Sequence, residues 1–288
     1  MPCGRVLFSI ILGTEKMTMR IPVISACCLA ACLSALPASA QYAVRGASNR
    51  ATGETYHLEV AGTLWNPKPD LAITSEALGI IGSRIDLVED LGIEQSRFKQ
   101  IKVVLRPAKK QKLRFEYTPI GYDATATLRR DIIFNGIKYP VSVPVQTSLT
   151  WKAYRFAYEW DMVYRDRGFF GLILEAKYTD IQATLVNAID TQFARARAPI
   201  PSIGGIARVY VAPNISITGE VSGIKLPESI DENYRAKYVD FDLYGTVNFT
   251  DHAGAQIGYR SFDVLYKVDK DEGELQLKGI YFGGVIRY

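Results

Sequence analysis

Cysteine is nearly missing from this chain. Cys3, Cys27, Cys28 and Cys32 are the four in 288 residues, and none lies beyond position 32. The remainder can build neither a disulfide framework nor a thiolate metal site. Histidine is as scarce, with only His57 and His252. No run of eighteen apolar residues occurs beyond the N-terminal region, which argues against a helical membrane protein. Charge of one sign is lacking too: 34 bases against 30 acids give a formal net charge of +4. That near balance leaves no nucleic-acid footprint. EF-hand, P-loop and dinucleotide fingerprints are absent, so no cofactor and no metal is expected. What is abundant is tyrosine, 17 residues, and strict alternation of apolar with polar positions.

Residues 1–40 read as a targeting segment. Arg20 precedes an apolar run from Ile21 to Leu36, then Pro37-Ala38-Ser39-Ala40. Small residues at Ala38 and Ala40 fit signal-peptide cleavage before Gln41, with 1–16 as an upstream extension. A second reading stays open: Leu29-Ala30-Ala31-Cys32 also fits a lipoprotein box with Cys32 lipidated. Residues 41–53 lack periodicity and are expected to form a flexible periplasmic lead-in to a β-domain over 54–288.

From Tyr56 onward the period is two, the signature of strands with unlike faces. Tyr56 to Trp65 is the first such strand, which Pro67 and Pro69 are expected to end. Residues 66–97 read as a long loop. Further strands are predicted at Gln100–Arg106, from Leu113 towards Phe134, and back from Ile137 through Trp151 to Tyr164, with Asn135-Gly136 as a strong hairpin signal. Others cover Phe170–Thr179, Ala207–Val211, Ile215–Ser222 and Tyr238–Phe249. Next comes Ala255–Tyr266, whose apolar phase changes near Ser261 and suggests a bulge. The last strand runs to Tyr288. Loops are expected at 187–202, 225–235 and 269–273.

The final strand sets Ile280, Phe282, Gly284, Ile286 and Tyr288 against Gly279, Tyr281, Gly283, Val285 and Arg287. An apolar face ending in an aromatic residue resembles the closing strand of Gram-negative outer-membrane β-barrel proteins of small-barrel type. The resemblance implies that Tyr288 is an assembly signal read by the barrel-assembly machinery, and that the protein lies in the outer membrane. It is architectural, covers roughly Thr55 to Tyr288, and transfers no functional residues.

The expected fold is therefore all-β: an antiparallel up-and-down transmembrane barrel of about ten strands, within a range of eight to twelve. Short connections (Ala108–Lys110, Asp166–Gly168, Pro213–Asn214, Asp251–His252) alternate with long ones, as in outer-membrane barrels. A soluble barrel would face its apolar side inwards. Here the polar face carries Glu59, Glu116, Glu159, Asp161, Glu175, Glu220, Asp240 and Asp242 against Lys102, Arg106, Arg114, Arg155, Lys177, Arg208, Arg260 and Arg287. Opposite charges in equal number suit an ion-paired lumen. Tyr154, Trp160, Tyr164, Phe249 and Tyr288 at the ends of the apolar face suit an interfacial aromatic girdle.

Candidate chemistry is thin. Both histidines fall near the short-turn end, away from any outer-rim site. Glu159 and Asp161 share a face and could act as an acid–base pair, but Arg114, Arg155 and Lys177 nearby favour a lattice of ion pairs. Arg195 and Arg197 could bind lipid phosphate, guard an entrance or simply be solvated in a loop. The expected role is a largely plugged, structural or narrow-pore barrel without enzymatic activity. Surface binding or adhesion through residues 66–97 and 119–147 is the alternative, and a rim enzyme acting on lipid a third. Expected partners are outer-membrane lipid and the assembly machinery, with no nucleic acid.

Overall fold

The computed structural model describes residues 51–74, 82–134, 136–187, 191–225, 234–268 and 271–288. The targeting segment, its Ala40–Gln41 junction, Cys32 and residues 41–50 lie outside this set.

Ten long strands close into one antiparallel barrel: β1 (Leu58–Thr74), β3 (Phe98–Ala108), β4 (Gln111–Thr127), β7 (Pro144–Arg165), β8 (Gly168–Val186), β9 (Thr191–Ala212), β10 (Ile215–Lys225), β11 (Tyr234–Asn248), β12 (Ala253–Val268) and β13 (Asp271–Arg287). Each pairs with the next, and β13 pairs back onto β1 from Glu59↔Arg287 to Thr74↔Glu272. Closure leaves no sheet edge around the wall. Three short strands cap one end: β2 (Ile85–Asp86) pairs with the top of β1, while β5 (Ile132–Phe134) and β6 (Ile137–Tyr139) form a separate hairpin. That hairpin is where Asn135-Gly136 signalled a turn, although Asn135 lies outside the described residues; Gly136 has φ 78°.

Several expectations are corrected. Pro67 and Pro69 do not end β1, which runs on to Thr74. Leu58 exchanges both backbone bonds with Tyr288 at the end of β13, whereas His57 O accepts from Arg106 N of β3. By alternation, the two prolines face the β3 side, where pairing has already stopped at Trp65↔Phe98. They remove no donor that the ladder uses. Residues 191–202, expected in a loop, belong to β9, and Pro199 and Pro201 sit within its pairing with β8. The expected bulge near Ser261 does not occur: β12 keeps an unbroken register with both neighbours. A bulge does occur in β7, where Met162 is skipped between Asp161↔Gly171 and Val163↔Phe170. It turns Tyr164 inward, to stack on Phe169 at 6.4 Å, so Tyr164 leaves the expected outer girdle.

Along each strand, both faces change character at one level. Below it, towards the short turns, the outward side chains are apolar and exposed: Leu113, Phe156, Leu172, Leu174, Val221, Phe241, Leu243, Ile257, Phe282 and Ile286 among them. A continuous exposed apolar belt far exceeds what a water-soluble surface carries, and it suits lipid. Tyr117, Tyr154 and Tyr178 line its upper margin on adjacent strands, with ring centroids 4.7 and 6.3 Å apart. Trp160, Phe249 and Tyr288 are exposed at its lower margin, in keeping with aromatic side chains at both interfaces. Above the tyrosines the outward residues become Lys99, Lys152, Asp180, Lys237, Asp263 and Lys278.

The inner face changes in the opposite sense. Below the level it is charged. Above it, Trp65, Phe98, Ile120, Tyr122, Leu149, Trp151, Tyr238, Phe262, Val264, Leu275 and Leu277 form an apolar core. Leu87, Leu91 and Ile93 from the 87–93 loop, and Ile132, Phe134 and Tyr139 from the hairpin, complete it from above. Phe262 and Val264 are therefore not displaced residues of the outer face. They continue the inner phase of Gln256 and Arg260, and it is the environment that inverts.

Candidate functional site

The charged half of the lumen is built by alternation. On β4, Lys112, Arg114 and Glu116 point inward; on β7, Arg155, Glu159 and Asp161; on β8, Glu175 and Lys177; on β11, Asp240 and Asp242; on β12, Arg260. All eleven side chains are buried, so each charge needs a partner.

Six of them close a ring across the bore. Arg155 binds Glu175; Glu175 contacts Lys177 at 2.8 Å; Lys177 reaches Asp240 at 3.1 Å; Asp240 binds Arg260 at 2.8 Å; Arg260 binds Glu116; and Glu116 returns to Arg155 at 3.7 Å. Sign alternates at every step. The Glu116–Arg260 and Lys177–Asp240 contacts join strands that are not neighbours in the wall, β4 with β12 and β8 with β11. A branch continues from Arg155 through Glu220 to Arg114 at 2.7 Å, then to Glu159 at 2.9 Å, Lys112 at 2.6 Å and Asp161 at 2.9 Å.

Of the sixteen charged residues assigned to the lumen from sequence, fifteen are buried; Lys102 is half-buried, its Nζ 4.8 Å from the Tyr244 ring centre. Not all share the network. Arg287 pairs with Glu59 and donates to Asn248 at 2.7 Å, forming a second cluster. Asp242 accepts from the Tyr281 hydroxyl at 2.8 Å. Gly258 leaves room for that ring, since a Cβ there would lie 2.6 Å from it. The expected pairing of Glu159 or Asp161 with Lys177 is replaced by pairing with Lys112, which stands directly opposite Glu159, whereas Lys177 stands opposite Arg155.

Two functional residues were not anticipated. Lys112 keeps the inward phase of Arg114 and Glu116, a signal available in the sequence, but the strand was expected to begin only at Leu113. Glu54 has no such signal. It precedes the first strand, yet it is buried, 2.8 Å from Arg208, 3.6 Å from Arg106 and 2.9 Å from the Tyr210 hydroxyl. Its neighbours tie the same segment into the short-turn mouth: Thr52 N donates to Pro213 O at 2.7 Å and Gly53 N to Asp251 at 2.8 Å. Gly53 takes φ 82°, a turn conformation that few other residues adopt. Residues 51–53, expected in a flexible lead-in, thus stopper the mouth.

His57 and His252 both sit at this end, with Nδ1 3.3 Å from Arg106 O and 3.2 Å from Arg287 O. At the opposite mouth, Arg130 binds Asp90 at 2.9 Å and also donates to Arg84 O at 2.6 Å, clasping the 87–93 loop to the β4–β5 connection. Burial opposes ionisation of Asp90, but the bonds to Arg130 outweigh it and hold its carboxyl below the usual carboxylate range. Arg197 contacts Asp180 at 3.3 Å.

Among the described residues, two small cavities lie in the lumen. One, of about 20 Å³, lies where the ring meets the apolar core, between Glu116, Arg155, Asp240, Arg260, Trp65 and Phe262. The other, of about 10 Å³, lies lower, beside Lys102, Lys112 and Arg208. Each has room for roughly one water.

No family model matches the chain, and no curated protein matches it. Among solved structures it is similar to the outer membrane protease OmpT from Escherichia coli, with TM-score 0.57 and 8% identity over 80% of this chain and 96% of that one. Likenesses to OprG from Pseudomonas aeruginosa (TM-score 0.36, 10% identity, 84% and 98% covered) and to the COG4313 outer membrane channel from Pseudomonas putida F1 (0.37, 10%, 85% and 100%) are more distant. At these identities the likeness extends to the fold alone, which is the closed β-barrel of Gram-negative outer-membrane proteins.

Proposed function

We propose that the protein spans the outer membrane as a doubly stoppered barrel with a structural role, neither a steady pore nor an enzyme. The short turns and the Glu54 segment face the periplasm, and the apolar-cored half projects outward. The observation that carries this reading is the alternating ring from Arg155 to Glu116: it crosses the bore, and the cavities beside it and below it hold about 20 and 10 Å³, too little for a hydrated ion. Planar-bilayer recording of the refolded full chain tests it. Little or no steady conductance is expected, and large stable currents from the unaltered protein would sink it.

Outer-membrane lipid against the belt and the barrel-assembly machinery are the partners this role implies. Tyr288 is exposed at the lower rim, while its backbone is held by Leu58. Its side chain is thus free to be recognised before closure. Deleting Tyr288 is expected to lower the yield of folded barrel in cells; an unchanged yield would remove the assembly role. Surface binding is a second reading. It is favoured by the projecting half having a core of its own, which would hold an exposed surface rigid.

A further inference from the structure

A groove of about 580 Å³ lies on the outer wall at the seam between β1 and β13, lined by Asn66, Lys68, Asp70, Gln95, Tyr259, Gln276, Lys278 and Ile280, with Pro69 and Gly279 in its floor. It sits on the level where the apolar belt gives way to charge. Tyr259 and Ile280 are exposed belt residues at its lower side, and Lys68 and Lys278 are the first outward charges above them.

What sets this seam apart is the pairing of its charges. Other lysines above the tyrosines differ: Lys152 stands opposite Asp180; Lys237 opposes Lys225 on β10 but contacts Asp263 at 3.3 Å; and Lys99 stands opposite Leu64. At the seam, Lys68 stands directly opposite Lys278. By strand parity theirs is a hydrogen-bonded pair, with Cα atoms roughly 5.5 Å apart. Like charges directly opposed in a ladder destabilise it. Neither lysine has an acidic partner among the described residues. The flanking acids on that face, Asp70 of β1 and Asp263 of β12, lie two residues further up, each opposing Gln276, and Asp263 contacts Lys237. Gln95 is anchored at the edge through Nε2 to Asn66 O at 3.0 Å.

We infer that this groove binds a lipid with an anionic phosphate headgroup from the leaflet at that level. Lys68 and Lys278 neutralise the phosphate, and the acyl chains lie down the belt along Tyr259 and Ile280. A phosphate monoester between the two lysines converts their repulsion into two charge-assisted contacts. The apolar residues below add the anchorage that a free anion cannot use. The inference rests on the transmembrane placement but not on the stoppered lumen, so conductance results leave it untouched.

Native mass spectrometry of the full-length barrel, folded in a neutral detergent, tests it with dioleoylphosphatidic acid, dioleoylphosphatidylcholine and inorganic phosphate as probes. Phosphatidic acid should be retained about tenfold more strongly than phosphatidylcholine, a difference expected of one or two charge contacts. The adduct should vanish in K68Q/K278Q, and persist both in K152Q, which changes a paired lysine, and in K68R/K278R, which keeps both charges. Thermal unfolding in detergent gives an independent reading. Without lipid, K68Q/K278Q should melt at or above the unaltered protein, because repulsion is gone, and phosphatidic acid should raise the midpoint only where both charges remain. Equal retention in the unaltered protein and K68Q/K278Q, or loss of the adduct in K68R/K278R, would overturn the site. Inorganic phosphate competing as effectively as the lipid would overturn its assignment to a lipid.

Discussion

The two halves of the lumen solve the same packing problem with opposite materials. Below the tyrosine row, long charged side chains fill the bore and satisfy one another; above it, aromatic and aliphatic side chains fill it. Strand β4 carries both solutions in five consecutive inward positions, from Lys112, Arg114 and Glu116 through Thr118 to Ile120. The difference follows from what lies outside the wall. Where the exterior is apolar, charged residues can be accommodated only inside, and there they must be paired. Where the exterior is aqueous, the wall can turn its apolar side chains inward and gain burial directly. The charged half is therefore sensitive to the loss of any one partner, while the apolar half responds to lost volume.

The largest expected effect tests the charged half. Arg155 contacts Glu116, Glu175 and Glu220. Arg155→Ala leaves these carboxylates short of a partner and should destabilise the barrel by roughly 3–5 kcal/mol. It should also open a path for ions. Heat-modified mobility on gels and bilayer leak currents read the two effects, and an unchanged melting temperature would show that the ring is not cooperative.

Leu87→Ala acts on the apolar half. Leu87 is fully buried beneath the 87–93 loop, so about 2–5 kcal/mol should be lost through a cavity. Because the charged ring is untouched, no leak should appear. A leak from this variant would mean that the upper core, not the ring, is the barrier.

The smallest effect concerns the clasp over the apolar half. Asp90 has its folded pKa depressed by Arg130. Its contribution is thus present above the ordinary carboxylate pKa and is lost as pH falls through the folded value. Backbone amides of the 87–93 loop should exchange faster at pH 3 than at pH 7 by hydrogen-exchange mass spectrometry, corrected for intrinsic rates. In Arg130→Ala that difference should shrink. If protection is the same at both pH values, the loop is held by Leu87, Leu91 and Ile93 alone.

The charged half was legible in the sequence because alternation is strict there and the exterior is lipid: Arg114, Glu116, Arg155 and Glu159 declare their face. The apolar half was not, because alternation alone does not tell which face is inner. Phe262 and Val264 looked like a shift of register when they were a change of surroundings. Tyr164 failed for the opposite reason, since a skipped residue at Met162 leaves no mark on composition. Pro67 and Pro69 were read as terminators, although the side of the strand they face has no neighbour to serve. Glu54 was hidden because its role depends on where the preceding segment folds back, a matter of tertiary contact with Arg106 and Arg208.

The simultaneous inversion of both faces also acts as a float line. Sinking the barrel by two residues along each strand, about 6–7 Å, would drag Lys152, Asp180, Asp263 and Lys278 into hydrocarbon. Raising it would lift the belt around Tyr259 and Ile280 into water. Either displacement is opposed over a span of one pleat, so the height of this barrel is stiffly determined by its own wall. When the membrane is thicker or thinner than the belt, the lipid, not the protein, has to yield.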